Sequence, residues 1–217
     1  MRIIGLRTMK RAVQWTRNRF VRRALVLLYH RVADLPSDPQ LLCVTTQHFA
    51  EHLEVLRKRG HPMGLQQLVQ ALRARNLPHR AVAITFDDGY ADNLRNAKRL
   101  LEGHDIPATV FVTTGYVGHE REFWWDELDR LLLQPGTLPD RLRLSIDGST
   151  WHWELGLAAH YSKDDYERHR SWNVLGKEDP TPRQRLYRSL HRLLYALPDG
   201  KRCTVPVSYT HLTLPTN

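Results

Sequence analysis

The sequence predicts an α/β fold built on parallel strands. Three observations carry this. Val82-Ala83-Ile84-Thr85-Phe86 is a short apolar run with one threonine, ending in Asp87-Asp88-Gly89. Runs of this kind read as strands buried on both faces, as in parallel sheets under helices. Leu94, Ala97, Leu100 and Leu101 then recur at helical spacing, and a second strand pattern spans Ala108 to Thr113. Strand, helix, strand in that order is a βαβ unit, with parallel pairing and a right-handed crossover. Finally, 217 residues, 41% hydrophobic and 25% charged, fit one soluble domain with a core.

The other elements follow in order. Leu25 to Tyr29 reads as a first strand, and Asp34 to Gln40 as a loop with two prolines. Thr46 is placed to cap a helix carrying Phe49, Leu53 and Leu56, closed by Gly60. Leu65, Leu68, Val69 and Leu72 form a second amphipathic helix, and Gly103 is read as ending the third. After Gly118 the texture changes. Phe123 to Leu133 looks helical. Arg141 to Ile146 and Thr150 to Leu155 alternate around Asp147-Gly148, which predicts a β-hairpin. Tyr161 to Pro180 is polar with few anchors. Thr181-Pro182 opens a last helix with Leu186, Leu190, Leu193, Leu194 and Leu197 on one side, and Pro198-Asp199-Gly200 stops it.

Chemistry in α/β architectures gathers beyond the carboxyl ends of the strands. Two adjacent acids there can divide the labour. One binds a cation while the other accepts a proton from water. Gly89 permits a tight turn and close approach to a ligand. A plain Asp-Gly turn is the simpler reading of the tripeptide taken alone.

Val26-Leu27-Leu28-Tyr29-His30, then Thr85-Phe86-Asp87-Asp88-Gly89, then Ile106-Pro107-Ala108-Thr109-Val110-Phe111-Val112, then Trp124-Trp125-Asp126-Glu127-Leu128 come in sequence. In this order the set resembles the polysaccharide deacetylase family, also called carbohydrate esterase family 4, over about Leu25 to Gly200. The resemblance implies a distorted (β/α) barrel, here partial and carrying an inserted β-hairpin and helix. It implies removal of N-acetyl groups from sugars with a divalent metal, zinc by expectation. Asp87 is then the catalytic base and Asp88 a metal ligand. His30, from the Tyr-His that ends the first strand, is a substrate-binding candidate, with a buried, carbonyl-bonded histidine as the plain alternative. Trp124 is the candidate for stacking on a sugar ring. Adjacent helical residues point about 100° apart, so Trp124 and Trp125 do not both face one cleft. His48 and His52 have metal-compatible i, i+4 spacing but flank the apolar stripe and read as surface residues.

The charge is uneven. Residues 1–23 hold eight basic side chains and no acid, against a net +9 for the chain. Residues 1–24 thus form a basic arm, 25–120 the first part of the barrel, and 121–206 the insertion. The plainest reading of the arm is a solvated helix. Its interleaved Ile3, Leu6, Trp15 and Phe20 also suit a peripheral contact with an anionic membrane surface, and less well a nucleic acid. Cys43 and Cys203 have no metal or redox spacing and read as reduced thiols of a cytoplasmic protein. Residues 207–217 resemble the translation of a sequencing adapter, so the natural frame is expected to end near Cys203 to Pro206. The family completes its metal set with a later His pair, followed by an Arg-bearing motif and a further catalytic His. None of these motifs is present, so the 217 residues are expected to be inactive alone.

The expected function is a metal-dependent hydrolase acting on an N-acetylated amino sugar of a polysaccharide or glycolipid. The alternatives are a carbohydrate O-acetyl esterase and a basic nucleic-acid-binding domain.

Overall fold

The computed structural model describes residues 23–118, 121–146 and 148–202. Residues 1–22 of the basic arm, Asp147 of the hairpin turn, Cys203 and the 207–217 tail lie outside the described residues. Chain contacts define two units. One joins residues up to Leu35 with Leu42–Val117; the other joins Pro36–Leu41 with the chain from Gly118 on.

In the first unit, strand β5 (Ala81–Phe86) is the axis, and all six of its residues are buried. Strand β1 (Ala24–Tyr29) runs parallel along one side of it, from Ala24↔Ala81 to Tyr29↔Phe86. On the other side, β4 (His61–Pro62) pairs with its start and β6 (Ala108–Val110) with its end, both parallel. The predicted parallel βαβ unit is therefore present. Short strands β2 (Arg31–Val32) and β3 (Cys43–Val44) pair with each other.

The period-two geometry of β5 splits its side chains between two layers. Ile84 and Phe86 pack with Val32, Phe49, Leu53, Ala97, Leu101 and Ile106. Ala81 and Ala83 face Leu68 and Leu77. Burial of each large side chain is worth about 1.5–3 kcal/mol.

Helix α1 (Thr46–Arg59) buries Phe49 and Leu53, one turn apart. Its cap is Thr45 rather than Thr46: Thr45 is extended, and its hydroxyl accepts from His48 N. Basic Arg57, Lys58 and Arg59 fill the last turn, where they oppose the helix dipole. A Cβ on Gly60 would lie 2.8 Å from Leu56 O, so the chain needs glycine there to leave the helix. Helix α2 (Leu65–Arg73) follows. After β5 the chain makes a π-helical turn (Asn93–Ala97) and enters α3 (Lys98–His104). Gly103 does not end this helix. Asp105 does, at φ 53°, and Ile106 N donates back to Leu101 O. Aspartate tolerates the left-handed region better than most residues.

Among the described residues the parallel sheet is open. Leu25, Val26 and Leu28 of β1 are about half exposed, as are Val110, Phe111 and Val112.

The second unit folds around its own core. Helix α4 (Trp124–Leu132) presents Trp124, Leu128 and Leu132 on one stripe. Strands β7 (Gly136–Thr137) and β10 (His160–Tyr161) pair antiparallel. The predicted hairpin is β8 (Arg141–Ile146) with β9 (Ser149–Glu154), and Leu142, Leu144 and Ile146 alternate inward. The long helix is α6 (Pro182–Tyr195), preceded by a short α5 (Lys163–His169). Sequence reading missed α5 because none of its side chains is buried. Its signal is the Ser162–Asp165 capping box. Helix α6 ends before Pro198, as expected, and a separate one-turn α7 (Asp199–Arg202) follows.

Arg183, on the first turn of α6, is 1% exposed. Its guanidinium donates to Ala158 O (2.7 Å), Leu132 O (3.1 Å), Gly136 O (2.7 Å) and Ala159 O (2.6 Å). Burial lowers its pKa to about 10. It ties α4, β7 and the turn before β10 to α6.

Trp124 corrects the expectation of a sugar-stacking surface. It is 5% exposed and belongs to this core, because the i, i+4, i+8 stripe that buries Leu128 and Leu132 buries it too. No helix among the described residues is long and apolar enough to cross a membrane.

Candidate active site

The acid pair sits where β5 stops. Asp87 N donates to Tyr29 O at 2.9 Å, extending the β1–β5 ladder past the last paired residue. Gly89 N donates to Asp87 O at 2.9 Å. Asp88 (φ 69°) and Gly89 (φ 73°) are both left-handed, so the backbone reverses sharply at the rim. Gly89 can hold this shape freely, while Asp88 holds it at a cost of about 1–3 kcal/mol. Such strain persists only where surrounding contacts enforce it.

His30 follows β1 and faces this turn. Its Nε2 lies 4.0 Å from Asp88 Oδ2, with the side chains 30% and 20% exposed. Thr113 Oγ1 donates to Asp88 Oδ1 at a long 3.4 Å. Three successive strand ends of the sheet thus converge: His30 after β1, Asp87 and Asp88 after β5, Thr113 beyond β6. Sequence reading named the first three and not Thr113. Its signal was its place at the carboxyl end of the next parallel strand.

Burial raises the pKa of Asp88, and the negative charge of Asp87 adds to the rise; His30 and the Thr113 hydroxyl act against it. Asp88 is therefore a carboxyl that resists ionising unless a positive charge joins it. Asp87 is partly buried beside it.

His48 and His52 are exposed. His52 Nδ1 shares a hydrogen bond with Tyr29 OH at 3.1 Å, and the pair forms no metal site. Among the described residues no three His, Cys, Asp or Glu side chains cluster closely enough to hold a metal ion. His30 and Asp88 offer two donors, and catalytic zinc takes about three from the protein. The described residues do not complete a metal centre.

Residues 74–137 match the family model for polysaccharide deacetylases, and the match spans β5, the acid pair and Thr113. Over these residues the chain resembles the polysaccharide deacetylase family. Two curated relatives, the poly-β-1,6-N-acetyl-D-glucosamine N-deacetylases of Escherichia coli strains K12 and O157:H7, are each 32% identical to it over 96 residues. That alignment covers 43% of this chain and 14% of each relative, so the chain spans a small part of their length. Among solved structures, IcaB from Ammonifex degensii is 29% identical over 51% of this chain and 48% of its own, with a TM-score of 0.43. That superposition is partial, and the family resemblance rests on the sequence match over residues 74–137.

Proposed function

We propose that the protein is a hydrolase that removes acetyl groups from an N-acetylated amino sugar of a polysaccharide or glycolipid. The observation that carries the reading is the Asp87–Asp88 pair at the carboxyl end of a fully buried parallel strand, inside the segment that matches the family. On the same reading the open parallel sheet is part of a distorted (β/α) barrel of the deacetylase type.

Asp87 accepts a proton from the attacking water, whose oxygen bonds to the acetyl carbonyl carbon. The carbon–nitrogen bond then breaks, the amine leaves with a proton, and acetate is released. His30, across the rim from Asp88, orients the substrate. A divalent ion, zinc by the resemblance, supplies Lewis acidity toward the carbonyl oxygen when bound, with Asp88 as one ligand and the remaining donors outside the described residues.

The relatives' activity makes poly-β-1,6-N-acetyl-D-glucosamine the first substrate to try. Acetate release is followed by proton NMR from this polymer and from an O-acetylated glycan, each with protein that carries a complete metal-ligand set. The reading expects acetate and new free amines from the N-acetylated polymer. Acetate from the O-acetylated glycan alone would replace it with an esterase.

A further inference from the structure

The pair formed by His30 and Asp88 lies between two clamps. The first is the hydrogen bond from Asp87 N to Tyr29 O. The second is made by Asp92. Its Oδ1 accepts from Val32 N at 3.1 Å, and its Oδ2 accepts from Arg31 Nε at 3.0 Å. Two chain segments, Tyr29 to Val32 and Asp87 to Asp92, are thereby closed into a ring. His30 stands inside one arm and Asp88 inside the other.

The second clamp is well built. The Asp92 side chain is 11% exposed. The Arg31 guanidinium lies over the Tyr90 ring, 4.4 Å from its centroid. Asn96 Nδ2 donates to Val32 O at 2.8 Å, one turn further along. A carboxylate suits the position because it accepts from a backbone N–H and a guanidinium together. The first clamp is backbone alone and forms with almost any sequence. The left-handed backbone at Asp88 and Gly89 lies between the clamps and has to be held from both sides.

We propose that Asp92 is a positioning residue. It closes the ring through Arg31 and Val32 and so holds His30 against Asp88. The inference rests on the reading of the acid pair as the active site, but its test needs no substrate. Failure of the protein to release acetate would therefore leave the test intact.

The experiment uses the full chain, isotopically labelled, and reads the His30 imidazole and Asp88 side-chain carboxyl resonances by NMR. Asp92→Ala is expected to shift both, with the core methyl resonances of Leu53 and Ile84 in place. Asp92→Asn, which keeps an acceptor for Val32 N, is expected to restore part of the shift. Leu53→Ala is the control for general loss of stability, and it should leave both resonances where they are. If Asp92→Ala does not fold, Asp92→Asn and Arg31→Lys decide, and both are expected to move the two resonances. His30 and Asp88 signals unchanged in the folded Asp92 variants would overturn the proposal. So would an equal shift in Leu53→Ala.

Discussion

The two units treat buried charge in opposite ways. In the second, Arg183 is almost fully buried, yet four carbonyl oxygens receive its donors. Four of the five N–H donors of the guanidinium are spent on carbonyls, and it serves as an internal tie. In the first, Asp88 is partly desolvated, and among the described residues its carboxylate meets a histidine at 4.0 Å and a long hydroxyl contact. Its charge is under-compensated, and its backbone is held in a left-handed conformation. Burial alone therefore does not mark a functional group. What separates the two residues is whether their hydrogen-bonding capacity is already spent.

The cores differ as well. The second unit surrounds its cluster on α4, the hairpin and α6. The first buries β5 completely but leaves the apolar residues of β1 half exposed, Leu25 and Leu28 at 54% each.

Truncation in each core should separate the units. Phe49→Ala removes a ring packed against Tyr29 and Phe86, and is expected to cost about 3–5 kcal/mol. Hydrogen exchange should show the loss in β5 and α1 and not in α6. Arg183→Met should cost at least about 3 kcal/mol, because several buried carbonyls lose their donor. Urea unfolding should show the loss, and hydrogen exchange should place it in the second unit. Equal loss of protection in both units from either change would mean that they unfold as one body.

Asp88→Asn tests the contrast directly. It should stabilise the fold by about 0.5 kcal/mol or more, as expected where function opposes stability. The sign follows from the raised pKa. The folded state holds the proton on Asp88 more tightly than the unfolded state does. Its contribution is whole below the ordinary carboxylate range and is lost as pH rises through the folded value. An amide removes that loss, so melting temperatures of variant and wild type should diverge as pH rises above that range. A destabilised Asp88→Asn would show that the carboxylate is already well compensated.

The smallest effect is expected at His191. It lies among Trp124, Tyr187 and Tyr195, and burial lowers its pKa. The native state therefore binds fewer protons than the unfolded state below the ordinary histidine value of about 6.5. Stability of the second unit should fall as pH drops through that value toward the folded one. His191→Phe should flatten this slope, as seen by comparing melting curves at stepped pH.

Much of this was legible in sequence. The β5 run reads as doubly buried because both of its faces are apolar, and the acids follow it without a gap. The hairpin and α6 show their periods plainly. The missed features share a cause: they depend on contacts rather than periodicity. Helix α5 has a cap but no buried stripe. Trp124 carries the type of residue that meets sugars, and only the packing of its helix shows that it faces inward. Arg183 reads as one more surface cation beside a Pro-capped helix start. Thr113 acquires meaning only once β6 pairs with β5, and Asp92 only once the turn after β5 is bonded to β2.

The central claim is that Asp87 is the base that works on water at the rim of β5. Its most direct test is the rate of acetate release from poly-β-1,6-N-acetyl-D-glucosamine by protein that carries a complete metal-ligand set, with and without the Asp87→Asn change. An amide cannot take the proton, so kcat is expected to fall by about 10²–10⁴-fold. KM and the melting temperature should stay near the wild-type values. A variant that keeps its kcat within about threefold of wild type, well short of a general-base effect, would contradict the assignment and place the chemistry elsewhere.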